Sequence, residues 1–455
     1  AVTLNSSTSY FQYKMQPMGY EYDLIADFAA RNGLKLEIKV AESVAQSIEM
    51  LQNGQADVVA YPVPIDNERK QSLRFCGRER QSSLVVVQRS SNRDSVLTDV
   101  TQLIGREVHI KPDSRYRDRL ENLNRELGGG IRIVEMKSDT LSVEDLIGMV
   151  SRGEIQYTIC EDDVARLNRT YYGNLDVSLA VSFRQRSAWA VRRDCPLLGM
   201  AIDLWAAGAT GDDTYRTAEK RYFELSKGGP ETIETNAETP DTVKQTKPKV
   251  PKMRPGMISP YDDLFKRHAK SLGWDWRLLA AQCYQESTFD PNARSWAGAC
   301  GLMQIIPSTA DHLGIPRNML FDPEQNIAGA AKYIRELTAK FSDVPNPLDR
   351  ACFVLASYNG GFFHIRDAMA LARKYGKDAH RWTDVQEFIL HLTTPAYYRD
   401  PVVKYGYMRG TETTTYVNRI MDRWAQYRGF AKSGGFSMGN AGFEGFGSGL
   451  DNMRP

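Results

Sequence analysis

Long apolar runs are missing from this 455-residue chain. No stretch approaches the roughly 18 residues that mark a membrane-spanning helix. An excess of one charge sign is missing too. Lys+Arg 58 against Asp+Glu 56 leaves a formal +2, which gives no electrostatic basis for binding nucleic acid. Cysteine is scarce, and six in such a length do not make a disulfide framework. Neither the Cys nor the six His fall at metal-ligand spacing, so no metal and no cofactor is expected. No charged and apolar leader follows Ala1, so the chain is either cytosolic or shorn of a targeting segment. What is present is ordinary for a folded protein: 42% hydrophobic and 25% charged residues, in a length that suits two or three domains.

Two stretches cannot bury enough surface to offset their ordering entropy. Residues 226–257 are rich in Pro, Thr, Lys and Glu and read as a flexible linker. Residues 431–455 are rich in Gly and Ser and read as a disordered tail. Ahead of the linker, strand-like and helix-like segments alternate. Helices are expected at 21–32, 44–53, 115–127, 142–152 and 161–169. Leu34, Leu36, Ile38 and Val40 alternate as a strand, and further strands are expected at 56–63, 82–88, 106–110, 131–136, 155–160 and 187–193. Such alternation predicts a parallel or mixed sheet flanked by helices. Behind the linker strand signals are scarce. Ser259-Pro260-Tyr261-Asp262 and Asp322-Pro323-Glu324-Gln325 open helices, and 348–357 and 411–428 continue the helical pattern.

One helix of this second half carries a carboxylate on its apolar face. Asp275 can cap it, and Leu279, Cys283 and Glu286 then share one side. Pro291 disfavours helical geometry at Asp290, so the helix must end near Glu286. Burial and the negative end of the helix dipole both favour a neutral carboxyl, the form a general acid needs. On this residue alone, a Glu that merely bonds nearby backbone is the plainer alternative. Asp290 reads as a turn residue before Pro291.

The surrounding text decides between them. Glu286-Ser287 is followed by Gly301-Leu302-Met303-Gln304 with Pro307 and Thr309-Ala310, then by Asn326-Ile327, Tyr358-Asn359-Gly360-Gly361 and Glu412-Thr413-Thr414-Thr415-Tyr416-Val417. This resembles the lysozyme-like lytic murein transglycosylases over roughly 259–428. The resemblance implies a mostly α, lysozyme-like catalytic domain at 258–430 acting on peptidoglycan. It implies Glu286 as the catalytic acid, and Ser295, Met303, Gln304, Tyr358, Asn359 and Tyr416 as substrate-binding residues. Gly360 replaces the family's usual Ala, a mild change at such a turn. A lone carboxyl suffices if the muramyl C6 hydroxyl attacks its own C1, giving 1,6-anhydro ends. A goose-type lysozyme-like hydrolase and a murein-binding sensor are the alternatives.

The front half, with Gly19-Tyr20-Glu21-Tyr22-Asp23, Asn67-Glu68-Arg69 and Gly153-Glu154, resembles the periplasmic amino-acid-binding proteins over 1–225. The resemblance implies a two-lobed α/β domain: lobe 1 about 1–88 and 188–225, lobe 2 about 92–185. A ligand carboxylate would meet Arg69, with Ser114 and Arg115 beside it, and a ligand ammonium would meet Glu161 or Asp162. Tyr61-Pro62-Val63-Pro64 stands where small hydroxyl residues are usual, which counts against an ordinary free-amino-acid site; an amino acid or cell-wall peptide, a muropeptide, or no ligand at all are the alternatives. The order of the two modules resembles the F-type subgroup of membrane-bound lytic transglycosylases. That resemblance implies a periplasmic, outer-membrane-anchored enzyme whose anchor lies upstream of Ala1.

Overall fold

The computed structural model describes residues 1–13, 16–90, 96–111, 115–136, 142–225 and 257–428. The linker residues 226–256 and the tail 431–455 therefore lie outside the described residues. Contacts divide the chain into two compact units: Ala1–Gly228 with Thr393–Arg399, and Gly229–Leu392 with Asp400–Pro455.

The first unit is the expected α/β half, and it holds two mixed sheets. In the first, the strand order is Lys39–Ala41, Val2–Leu4, Val58–Pro64, Gln185–Arg192, Leu73–Ser82. Val2–Leu4 runs parallel to its two neighbours, and Gln185–Arg192 antiparallel to both of its own. The second sheet runs Leu175–Asp176, Leu84–Arg89, Tyr157–Glu161, Glu107–Ile110, Arg132–Glu135. Its central strands are continuous apolar runs because both faces are covered. Val86, Val108 and Ile159 pack with Leu120 and Leu123 of the Arg115–Glu126 helix. Val85, Val87 and Cys160 pack on the other side with Leu146, Ile147 and Val150 of the Val143–Arg152 helix.

Two expectations need correction. The 84–89 strand belongs to the second sheet, so the first lobe ends at Ser82, not at 88. Only Ser83 separates the two strands, so a composition break could not mark the crossing. The chain returns to the first sheet at Gln185, three residues before 188. The alternation from Leu34 to Val40 yields only the short strand Lys39–Ala41, with Leu34 53% exposed. That strand sits at the sheet edge and pairs with Val2–Leu4 alone, so there is no second surface to bury the earlier residues.

The second unit is helical among the described residues, apart from isolated bridges at Arg294–Cys300 and Cys300–Ile305. Start signals explain the boundaries. Asp322 accepts from the Gln325 N–H ahead of Pro323–Lys340, and Asn346 accepts from Leu348 and Asp349 N–H ahead of Pro347–Gly360. Ser259 heads a turn rather than the helix itself. Its hydroxyl accepts from the Tyr261 N–H, its own N–H and hydroxyl are held by Asp262, and the helix begins at Asp262. Phe341, Phe353 and Trp382 fill the centre, with the first two rings stacked 5.7 Å apart. The C-terminal helix Gly410–Tyr427 packs against both Trp276–Ser287 and Pro347–Gly360. Gly410 lets it start close in, since a Cβ there would lie 1.8 Å from the Ile389 carbonyl oxygen.

Candidate active site

The helix bearing Glu286 runs Trp276–Ser287, with the Asp275 carboxylate accepting from the Arg277 N–H at 3.0 Å. Leu279 and Cys283 are fully buried, and Glu286, on the same face, is half-buried. Thr288 and Phe289 both adopt left-handed backbone, φ 52° and 64°, which ends the helix one residue after Glu286. Non-glycine residues rarely take this conformation, and two in succession turn the chain sharply away. Packing of the Phe289 ring on Phe265 and Tyr284 fixes that turn. Asp290 is exposed and caps the Asn292 N–H, the turn role expected of it.

The Tyr416 hydroxyl donates to Glu286 Oε1 at 2.6 Å. Burial, then the Glu286 charge, push the Tyr416 hydroxyl well above its ordinary pKa. The same two causes act on Tyr358. Both phenols therefore stay protonated and serve as neutral donors.

The loop 300–304 is tied to the Glu286 helix from several sides. Ser287 Oγ donates to the Leu302 carbonyl at 2.8 Å, and Tyr358 Oη donates to the Met303 carbonyl at 2.8 Å. Asn326, fully buried, accepts from the Met303 N–H at 2.7 Å and donates to the carbonyls of Cys300 and Leu320 at 3.1 and 2.7 Å. Gly301 lies so close to this amide that a Cβ would sit 2.6 Å from Asn326 Nδ2. Gln304 holds φ 48° and donates to the carbonyls of Ala293 and Gly301 at 3.0 and 2.8 Å.

The expected substrate-binding residues thus fall into distinct places. Tyr416 and Tyr358 converge on Glu286. Met303 is completely buried and Gln304 nearly so, with its amide spent on the loop. Asn359 is buried and accepts from the Thr413 hydroxyl at 2.7 Å, one turn before Tyr416 on the C-terminal helix. Ser295 Oγ accepts from the N–H groups of Ala297 and Ala299 at 3.2 and 3.0 Å, so its described contacts shape its own turn. Gly360 is less innocuous than its place at a turn implies. It is the last residue of the Pro347–Gly360 helix, and a Cβ would come 2.2 Å from Met408 Cε and 2.6 Å from Thr413 Oγ1.

Of the residues expected to meet a ligand in the front unit, Arg69 and Glu161 have partners of their own. Arg69 is bound by Asp66, three residues back, and reaches the Pro64 carbonyl at 3.4 Å. Asp66 stands just ahead of the short helix Arg69–Ser72. Glu161 accepts a hydrogen bond from Tyr116. Burial raises the Asp162 pKa, reinforced by Asp163 and opposed by Arg80. Ser114 and the Arg115 side chain lie outside the described residues. A different cluster was missed. Arg80 meets buried Glu21 at 2.6 Å and Asp163 at 3.8 Å, and the Trp189 indole donates to Glu21 at 2.7 Å. Glu21 lies on the buried face of its helix, the same signal that singled out Glu286.

All six cysteines carry free thiols, with Cys283 and Cys300 each directed at a carbonyl 3.4 Å away. No group of His, Cys, Asp and Glu able to hold a metal occurs among the described residues.

Comparison with known proteins gives two family models. Residues 3–225 match the bacterial extracellular solute-binding proteins, family 3, and residues 263–381 match the transglycosylase SLT domain. A membrane-bound lytic murein transglycosylase F from Desulfosudis oleivorans is 34% identical over 426 residues, 92% of this chain and 87% of that protein. Its namesake from Aeromonas salmonicida is 32% identical over 421 residues, 92% of this chain and 79% of that one. The solved substrate-binding domain 2 of Lactococcus lactis GlnP, at 19% identity and TM-score 0.42, covers 50% of this chain and 94% of its own. With both modules in the same order and with identity sustained across nearly the whole length, the chain belongs to the membrane-bound lytic murein transglycosylase F family.

Proposed function

We propose that this chain cleaves the β-1,4 bond between N-acetylmuramic acid and N-acetylglucosamine of peptidoglycan without consuming water. The observation that carries the reading is the half-buried Glu286 carboxyl at a helix end, held at 2.6 Å by the Tyr416 hydroxyl. Glu286 gives its proton to the glycosidic oxygen as the C1–O bond breaks. The leaving sugar departs as an alcohol, and positive charge develops at muramyl C1. The C6 hydroxyl of the same sugar then attacks C1 and returns its proton to Glu286. Atoms balance with no second carboxylate and no water, which departs from the usual two-acid scheme. Tyr416 supports the carboxylate between the two proton transfers. The loop stapled by Ser287, Tyr358 and Asn326 forms a rigid wall beside it.

The front unit, in this reading, binds a small ligand and modulates cleavage. Arg69 is held by Asp66, so a ligand carboxylate must displace that pairing or bind elsewhere. A cell-wall peptide fits better than a free amino acid, because Pro62 and Pro64 offer no backbone donors. The working site is the periplasm, at the outer membrane. No helix among the described residues is long and apolar enough to cross a membrane.

Two experiments test the reading. Mass spectrometry of digested murein should show anhydromuramyl ends, and products heavier by one water would make it a hydrolase. Adding stem peptides to the full chain should change turnover on murein. Equal rates with and without them would remove the regulatory part and leave the chemistry standing.

A further inference from the structure

The helix Pro196–Gly211 of the first lobe is apolar on both sides. Its inner face packs on the strands Leu73–Ser82 and Gln185–Arg192, with Ile202, Trp205, Ala206 and Ala209 buried. Gly199 lets it sit close, since a Cβ there would lie 2.3 Å from Arg74 Nε. Its single charge, Asp203, is spent inside the lobe on Arg74 at 3.0 Å and on the Gly77 N–H at 2.8 Å. A surface helix normally turns polar side chains to water. Here the outward face shows Leu197, Met200 and Leu204, which are 79%, 50% and 74% exposed. No other helix among the described residues exposes more than one large apolar side chain. Such side chains scattered singly are ordinary, but three on one face mark a contact surface.

The order of residues along that face points to its occupant. Large side chains hold the first half. Ala207, Gly208 and Gly211 follow in the second, all exposed, and both glycines have open space where a Cβ would stand. The six positions fall on one side of the helix, and Leu204 stands midway between Leu197 and Gly211. A second copy of the helix, turned end for end about Leu204, sets Leu197 opposite Gly211 and Met200 opposite Gly208. Leu204 then meets its own counterpart. Large side chains fall on hollows, the self-complementary match of a two-fold axis.

Charge agrees with this direction. Arg192 and Arg193 stand before the helix, and Asp212 and Asp213 just after it. Asp194 is answered by Arg192 at 3.7 Å, so that flank stays positive at Arg193. Arg193 is exposed and donates to the carbonyls of Lys70 and Gln71 rather than to an acid. Asp212 is engaged by Arg31 and Thr214, which leaves exposed Asp213 to face the second copy's Arg193. A parallel pair would set like charge on like.

We propose that this face is a contact between two copies of the chain, paired antiparallel through Pro196–Gly211 about a two-fold axis at Leu204. The face is about 24 Å long and about 10 Å across. Pairing it removes roughly 1,000 Å² from water over both copies, the low end for a specific interface. The pair therefore forms and dissociates with concentration instead of standing permanently. It involves the front unit alone and is independent of the chemistry at Glu286.

Sedimentation velocity on the full chain, from about 5 to about 500 µM, spans the range where an interface of this size associates. Monomer should give way to dimer. Leu204→Glu puts two carboxylates on the axis and should keep the chain monomeric. Gly208→Leu separates this pair from unspecific adhesion. It adds apolar surface, so a merely sticky face would associate more. In the proposed pair it fills the hollow that receives Met200, and affinity should fall about tenfold or more. Its thermal midpoint should rise, because Leu favours a helix over Gly, which shows the fold intact. Under mild oxidation Leu204→Cys should give a covalent dimer. Wild type should not, nor should Leu34→Cys beside the opposite edge of the sheet. A wild-type chain that stays monomeric throughout, as when another segment or a lipid covers the face, would overturn the proposal. So would Gly208→Leu associating as well as wild type, or Leu204→Cys linking no better than Leu34→Cys.

Discussion

The hydroxyl of Tyr358 donates to the backbone carbonyl of Met303 at 2.8 Å, joining two motifs 55 residues apart in the chain. Both partners are buried, so the bond fixes the 300–304 loop beside Glu286 rather than meeting substrate directly. Tyr358→Phe leaves the Met303 carbonyl buried and unsatisfied. Expected loss of stability is about 1–3 kcal/mol by denaturant titration. Turnover should fall with it because the loop is freed.

Asn326 holds the same loop with two hydrogen bonds and reaches the Leu320 carbonyl with a third. Asn326→Leu abolishes all three and leaves a backbone N–H and two carbonyls without this partner. Expected destabilisation exceeds that of Tyr358→Phe, at roughly 3 kcal/mol or more. Urea unfolding of the two variants side by side gives the ranking.

Gly360→Ala restores the residue more usual at this place in the family. Helix propensity alone would make it stabilising, by less than the roughly 1 kcal/mol of a helix interior because Gly360 is the last helical residue. The added Cβ, however, would meet Met408 Cε at 2.2 Å and Thr413 Oγ1 at 2.6 Å. Thr413 is the donor to Asn359, so making room for the methyl disturbs that pair. The clash should win, with a net loss of about 1–3 kcal/mol and reduced turnover. A rise in melting temperature would show that Met408 and Thr413 yield freely.

His364 is fully buried, neither ring nitrogen has a hydrogen-bond partner among the described residues, and burial lowers its pKa from 6.5 to about 4. The unfolded chain therefore binds more protons between these values, and stability rises with pH through that window. Acidification below about pH 6.5 should destabilise the helical unit, by about 3 kcal/mol once pH 4 is passed. His364→Leu should flatten this part of the stability–pH curve.

Much of the site was legible because its signals are local. Asp275 and Pro291 bracket a helix, so the end at Glu286 followed from the text. Tyr416 and Tyr358 came from spaced motifs and do converge on the acid. What escaped depends on distant neighbours. Gly360 looked harmless until Met408 and Thr413 were placed against it. Met303 was expected among the substrate-binding residues, but its side chain is closed off, and only its backbone carbonyl and N–H take part. Arg69 was assigned to a ligand, yet Asp66 lies within reach on the same turn. The strand pattern from Leu34 to Val40 promised a buried edge that the sheet does not provide.

The central claim is that one carboxyl serves a sugar that closes on itself. The direct measurement is the mass of muropeptides released from purified sacculi by the intact chain and by Glu286→Gln. Anhydro products from the first, and a loss of about a hundredfold or more with the second, are expected for a general acid. Hydrated products, or a Glu286→Gln variant as active as wild type, would contradict it.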